Sequence, residues 1–257
     1  MPIPISVFTI TYNEENNIQR LLTSLSEFDE VIIVDSGSTD NTVAIAREMG
    51  AKVHSHNWMG YAKQKQHAMD LCKNDWVMNL DADEQIPESL VKELEQSINQ
   101  VSFNAIRLLR IDYFLGKPMP TCLSLPKNVR LYRKSKAQFD STCLVHESAS
   151  ISGKTKLVKT PFIHHGYNDL RVLINKLNIY SSLKAKEKFN KGKHFSYLKL
   201  VLIFPFEFIR RLVFQRYALF GWRGFLLSVI YANYAFLKEA KLYSLFRGEH
   251  HKNEKAK

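Results

Sequence analysis

The first hundred residues alternate short apolar runs with amphipathic stripes, and few folds satisfy that alternation. Ile5 to Ile10 is rich in β-branched and aromatic residues and stops at Tyr12-Asn13-Glu14-Glu15, the pattern of a buried strand entering a turn. Ile18, Leu21, Leu22 and Leu25 then recur at spacings of three and four, which predicts a helix with one apolar face over Asn16 to Leu25. EVIIVD predicts a second strand, AKVHSH a third and Trp76 to Leu80 a fourth. Helices are expected over Thr42 to Met49, with Asp40 or Thr39 as cap and Gly50 as terminator, over Tyr61 to Cys72, and from Pro87 through Ile98. Strands separated by helices of about ten residues imply βαβ units with right-handed crossovers, hence an α/β fold built on a parallel sheet.

That fold fixes where chemistry collects, because ligands of such sheets gather at the carboxyl ends of the strands. Thr11-Tyr12-Asn13-Glu14, Asp35-Ser36-Gly37-Ser38 and Asp81-Ala82-Asp83 should therefore line one edge. Asp81 and Asp83 flank a single small residue, so in an extended segment their side chains leave the same face. Paired hard oxygen ligands suit Mg²⁺ or Mn²⁺, whose shell is completed by water and substrate phosphates. D-x-D is also common in solvated turns; its place at the end of an apolar strand favours the metal. Asp35 is placed either to meet the ribose or base edge of a nucleotide or to serve as a turn aspartate. The SGSTD that follows it has neither the GxxxxGK[ST] of a P-loop nor the GxGxxG of a dinucleotide fold, which weakens ATPase and NAD-enzyme readings. Glu84 reads as a solvated residue ahead of the helix that Pro87 opens. His54, His56, His164 and His165 have no metal-ligand spacing around them and read as structural or surface histidines. His146-Glu147 follows a buried-looking run, and Glu147 is either a general base or a plain surface acid.

Charge divides the chain. The formal net charge is +11, from 36 Lys and Arg against 25 Asp and Glu, yet residues 1 to 183 carry 20 of each sign. All of the excess lies in residues 184 to 257, with 16 basic and 5 acidic side chains. A basic appendage on a neutral domain points to a polyanionic partner. Cys72, Cys122 and Cys143 are sparse and unpaired in sequence, which reads as reduced thiols in a cytosolic protein and leaves zinc without ligands. The N-terminal segment lacks the basic, apolar and small-residue succession of a secretory signal.

Taken in order, TITYNEENNI, VIIVDSGSTDNT, HNWMGYAKQKQHAM and WVMNLDADEQIP resemble the family 2 glycosyltransferases of the GT-A fold, and within them the lipopolysaccharide core β-glucosyltransferases. The likeness spans residues 4 to 98, with weaker agreement in VRLYRK, VHE and NKLNIYSSLKAKE. It implies a Rossmann-like, mostly parallel sheet flanked by helices, and an inverting transfer of a hexose, glucose from UDP-glucose, onto a heptose of a lipid-anchored lipopolysaccharide core. Another UDP-hexose or N-acetylhexosamine with a different glycolipid acceptor is the alternative within the fold. A nucleotide-binding peripheral membrane protein without turnover is the alternative outside it. Carried onto this chain, Thr11, Tyr12 and Glu14 would border the nucleotide and Asp35 its uracil or ribose side. Lys63 and Gln64 match the segment that closes over it. Asp81 would approach the ribose and a divalent metal, Mg²⁺ or Mn²⁺, and Asp83 the metal itself. Glu147 is the expected catalytic base, with Asp112 and Asp140 as other acids able to approach the acceptor.

From Tyr197 onward the chain is aromatic, with Arg and Lys interleaved. Its longest uncharged run, Gly224 to Leu237, is 14 residues, whereas a spanning helix needs about 20. The segment is expected to form amphipathic helices lying on an anionic membrane, with Phe, Trp and Leu at the acyl boundary. Bulky aliphatics among the basic residues speak against nucleic acid. The expected division is a catalytic domain over 1–183 and a membrane-associating helical region over 184–257, held on the cytoplasmic face of the inner membrane by its lipid-linked oligosaccharide acceptor and anionic lipid.

Overall fold

The computed structural model describes all residues except 101, 124, 141–147, 168 and 256–257, together with the side chains of 167 and 249–255. Chain order begins β1 (Ile3–Thr11), α1 (Glu15–Thr23), β2 (Phe28–Asp35), α2 (Thr42–Glu48), β3 (Lys52–Ser55), α3 (Tyr61–Asp70), β4 (Trp76–Asn79), β5 (Glu84–Gln85) and α4 (Glu88–Ile98). It continues with β6 (Ala105–Phe114), β7 (Lys117–Pro118), β8 (Lys127–Arg133), β9 (Ala137–Gln138), β10 (Ser150–Ile151), β11 (Thr155–Tyr167), α5 (Leu170–Asn190), α6 (Tyr197–Ile209) and α7 (Gly221–Lys255). The elements fall into two compact units, one of residues 1–112 and 125–165 and the other of residues 113–124 and 166–257.

In the first unit the expected βαβ segment is present. Strands β3, β2, β1 and β4 lie side by side in that order, all parallel. Both faces are covered, as parallel sheets require. Ile5 and Val7 of β1 join Ile18, Leu21 and Leu25 from the α1 segment and Leu90 and Leu94 of α4 in one core. Phe8, one residue out of phase, joins Ile32, Val34, Ala62, Ala68 and Met69 in another, so α3 covers the opposite face. Beyond β4 the sheet changes character: β8 runs antiparallel to β4 and to β6, and β11 and β5 continue the order. The α/β fold with a parallel sheet read from the sequence is thus present, and the structure adds antiparallel strands beyond β4.

The amino-terminal edge of the parallel strands is locked by a buried acid. Glu30 accepts hydrogen bonds from Ser6 Oγ at 2.6 Å, Lys52 Nζ at 2.7 Å and the Lys73 amide at 2.8 Å. Burial opposes ionisation of this carboxyl, but those partners hold it below its ordinary value.

The second unit is helical. Leu173 and Ala185 of α5 and Leu227, Ala232, Ala235 and Leu242 of α7 are buried. Lys188 of α5 pairs with the buried Glu239 of α7, and Lys241 Nζ donates to the Asn178 carbonyl at 2.7 Å and to Ser181 Oγ at 2.7 Å. α6 contributes no buried side chain; Leu198, Val201, Leu202, Phe206 and Ile209 along it are at least half exposed. No helix among the described residues is long and apolar enough to cross a membrane.

Candidate active site

The carboxyl ends of β1 and β2 are joined into one rim by side-chain hydrogen bonds. Asp35, buried at the end of β2, accepts from Thr11 Oγ1 at 3.1 Å, from the Gly37 and Ser38 amides at 2.9 and 2.8 Å, and from Ser38 Oγ at 2.5 Å. The turn geometry anticipated as one reading of Asp35 is therefore present. Asn13 adopts φ +55°, a left-handed conformation that asparagine tolerates. From there its amide donates to Ser38 Oγ at 2.8 Å while its own Oδ1 accepts from the Thr39 amide at 2.8 Å. Tyr12 stands out from this rim, 60% exposed.

Glu14 sits where the rim turns toward the end of β4. Burial raises its carboxyl above the ordinary value, a bond from Asn17 Nδ2 at 2.8 Å works the other way, and the charges of Asp83, Asp81 and Asp40 push it up further. Glu14 is thus repelled by the carboxylates of Asp81 and Asp83 past the end of β4 and by Asp40. That is the electrostatic setting a divalent cation relieves.

Past β4 the acids diverge in role. Asp81 pairs through one oxygen with Lys65 Nζ at 3.1 Å and through the other with Arg130 Nη2 at 3.1 Å. Burial works against its charge, but these two cations hold it well below the usual carboxylate range. Glu84, expected to be solvated, is instead fully buried. It lies against the Arg130 guanidinium and accepts from the Asp81 amide at 3.0 Å. Burial nevertheless lifts its carboxyl to about 7. Arg130, from β8, also donates to Asn79 Oδ1 at 3.3 Å and so ties three side chains of the β4 end to the antiparallel strands.

Asp83 belongs to a different chain of contacts. His164 of β11 reaches Asp83 Oδ2 from Nε2 at 3.3 Å and Asp112 Oδ1 from Nδ1 at 2.7 Å, and Arg110 Nε pairs with the same Asp112 oxygen at 2.8 Å. Burial disfavours the imidazolium, but Asp112 and Asp83 outweigh it and raise His164 to about 9. The neighbouring His165 is pushed down to about 4, by burial first and the Arg20 charge second. Asp112 is therefore engaged by Arg110 and His164.

Both Asp81 oxygens are already paired with cations, whereas Asp83 has His164 to orient it. No cluster of three or more His, Cys, Asp or Glu suited to a metal occurs among the described residues. The donor set fits an ion of the Mg²⁺ or Mn²⁺ kind that takes one or two protein carboxylates and draws its remaining ligands from phosphates and water.

Of the residues singled out from sequence, Thr11, Glu14, Asp35, Asp81 and Asp83 all lie at the carboxyl edge of the sheet. Gln64 is buried and donates to Ser36 Oγ at 3.2 Å and to the His56 carbonyl at 3.3 Å, while Lys63 is exposed. The lysine that reaches Asp81 is Lys65. Its signal was present: it falls on the same helical face as Ala62, Ala68 and Met69, where a cation needs a partner. Arg130 was not singled out, and His164 read only as a structural or surface histidine, because their partners lie 46 to 81 residues away in sequence. Glu147 and Cys143 lie outside the described residues. Cys72 is a buried thiol, and burial pushes it up to about 12, which makes it unreactive.

Residues 6–138 match the sequence model of a family described as glycosyl transferase family 2. An uncharacterized glycosyltransferase of Rickettsia typhi is 38% identical over 254 residues, covering 94% of this chain and 87% of that protein. The lipopolysaccharide core biosynthesis glycosyltransferase LpsC of Rhizobium meliloti is 34% identical over 252 residues, covering 94% of this chain and 92% of LpsC. Among solved structures, S. aureus TarS 1-349 superposes with a TM-score of 0.49 at 18% identity, over 96% of this chain and 92% of that one.

Proposed function

Because the chain belongs to glycosyl transferase family 2, we propose that it moves a hexose, glucose from UDP-glucose, onto a heptose of a lipid-anchored lipopolysaccharide core with inversion at the anomeric carbon. The observation that carries this reading is likeness to LpsC along nearly the whole of both chains, combined with a strand-end rim bearing Asp81 and Asp83. In this reading Thr11, Tyr12, Glu14 and Asp35 border the nucleotide, and Lys63 and Gln64 belong to the segment closing over it. Asp81 meets the ribose, its charge maintained by Lys65 and Arg130. Asp83 holds a divalent ion, which when bound neutralises charge developing on the departing diphosphate.

Inversion requires a base on the face opposite the leaving group, so that the acceptor hydroxyl attacks as its proton departs. Glu147 is assigned that role. Asp112 is a poor rival because its carboxylate is committed to Arg110 and His164. The second unit brings the enzyme to its acceptor: exposed Leu, Val and Phe of α6 enter the interface of the cytoplasmic leaflet, and the basic residues of 184–257 meet anionic headgroups.

The test is a donor screen with UDP-glucose, UDP-galactose and UDP-N-acetylglucosamine against truncated core lipopolysaccharide, with and without Mn²⁺. Transfer from UDP-glucose, dependent on the ion and abolished in a folded Asp83→Ala variant, is the expected result. UDP release that is no greater with acceptor than without it overturns the transferase reading for this acceptor, and undiminished turnover of Asp83→Ala removes that residue from the metal site.

A further inference from the structure

Within the second unit, α5, α6 and α7 surround a cavity of about 360 Å³. It lies within the size range of small-molecule sites. Seven of its ten lining residues are aliphatic or aromatic, among them Ile174 and Leu177 of α5, Phe204 of α6, and Ile230, Tyr234 and Leu237 of α7. None of the seven is buried, and Ile174 is 49% exposed, so the three helices leave an apolar hollow open where they could have closed a core. Phe204 stands between Leu202 and Phe206, which are 51% and 60% exposed. The helix that walls the hollow is therefore also the one that presents an apolar surface outward.

Tyr234 connects the hollow to an excess of cations. Lys238 Nζ lies 5.7 Å from the centre of the Tyr234 ring, and the charge of Lys184 acts on the same phenol. Around them the carboxylates are already taken. Glu187 pairs with Lys184 and Lys191, both at 2.7 Å, and the buried Glu239 pairs with Lys188 and, at 3.6 Å, with Lys199. Glu207, whose charge also reaches Lys238, is held by Arg210 at 2.6 Å and Arg211 at 3.7 Å. Lys238 is left half-buried with no ion pair among the described residues. Burial first, and the Lys188 charge second, lower it from the ordinary lysine value. Withdrawing an ammonium from water without a counter-ion is unfavourable, and an anion from outside the chain relieves it.

We propose that the hollow and its lysines form a binding site for one acidic phospholipid, with an acyl chain between α5, α6 and α7 and the phosphate at Lys238 and Lys184. Lys184 already serves Glu187, but an ammonium has three donors and can serve a second acceptor. An apolar lining alone would admit any hydrocarbon. The unanswered lysine beside Tyr234 selects an occupant that carries both a chain and a negative charge. This assignment rests on the membrane association proposed for the second unit, and adds a saturable site to what is otherwise adsorption on a surface.

Short-chain lipids below their micellar concentration offer no surface, so they separate the site from adsorption. Dihexanoyl phosphatidylglycerol, dihexanoyl phosphatidylcholine and glycerol 3-phosphate are titrated into the full chain by calorimetry. Phosphatidylglycerol is expected to saturate one site about tenfold more tightly than phosphatidylcholine, the scale of a lost charge-assisted contact. Glycerol 3-phosphate, which has the anion without the chains, is expected to show no measurable binding. Lys238→Gln should abolish the preference between the two lipids. Ile174→Trp, which fills the hollow from its exposed side, should remove measurable binding of both, with urea unfolding to check that each variant is folded. Absent or non-saturable binding overturns the site, as do equal affinities for the two lipids, glycerol 3-phosphate bound as tightly as phosphatidylglycerol, or indifference to either substitution. Vesicles that sediment the protein when short-chain lipid does not bind leave the membrane association standing without the site. Short-chain binding without sedimentation leaves the site standing and removes the membrane association.

Discussion

Arg130 concentrates more of this site than any other single side chain, since it neutralises Asp81 and Glu84 and bonds Asn79 at once. Removing one partner of a buried ion pair strands the other charge, which typically costs about 3 to 5 kcal/mol. Arg130→Met is therefore expected to destabilise the protein by roughly 3 kcal/mol in urea denaturation, and adding Glu84→Gln should restore part of that loss. If Arg130→Met with Glu84→Gln is as destabilised as Arg130→Met alone, Glu84 is not the main dependant of Arg130. His164 gives a pH signature instead. With a folded value of about 9 against an ordinary 6.5, its protonated form contributes stability that is complete below pH 6.5 and is lost as pH rises through about 9. The amount is roughly 2 to 4 kcal/mol. In chelator, unfolding free energy should fall over that window in the wild type and stay flatter in His164→Asn.

Among the elements, β1 to β4 and their helices were legible because each carries one strong apolar period of its own, which shows in the sequence whatever partner it later pairs with. The antiparallel strands were not. β6 reads AIRLLRIDYF, where Arg107, Arg110 and Asp112 interrupt the aliphatics, and only pairing with β8 and the contact of Asp112 with His164 explains them. The strand-end acids were legible as a group, yet Glu84 looked solvated because the guanidinium that buries it comes from β8. In the second unit the informative element is α7. A Cβ on Gly224 would lie 1.7 Å from the Tyr217 carbonyl oxygen, so the short 3₁₀ turn Tyr217–Phe220 packs on the helix backbone itself. Alanine in a helix is ordinarily better than glycine by about 1 kcal/mol. Gly224→Ala should reverse that sign and destabilise by about 2 kcal/mol in thermal or urea unfolding, because the obstacle is backbone and must be moved. A stabilised variant would mean the turn detaches freely.

For the molecule as a whole, charge and exposed apolar surface coincide in the chain's last quarter. Leu198, Val201, Leu202 and Ile209 recur at helical spacing on α6, and Val213 and Phe214 continue the exposed series. Sedimentation with vesicles should show binding to anionic lipid that weakens with salt, and Leu202→Asp should reduce it on neutral and anionic vesicles alike. Equal binding to neutral and anionic vesicles would remove the electrostatic part. The sheet itself has a further property. Its amino-terminal edge is fastened by Glu30 to Ser6, Lys52 and Lys73, whereas Thr11 and Asp35 stand at the other end of the same strands, about 16 Å away along β1. At that separation energetic effects sum independently. The strand-end residues can thus be exchanged for another donor or acceptor with the losses tolerated by the far edge, which makes this sheet a chassis on which specificity can drift while foldability is kept.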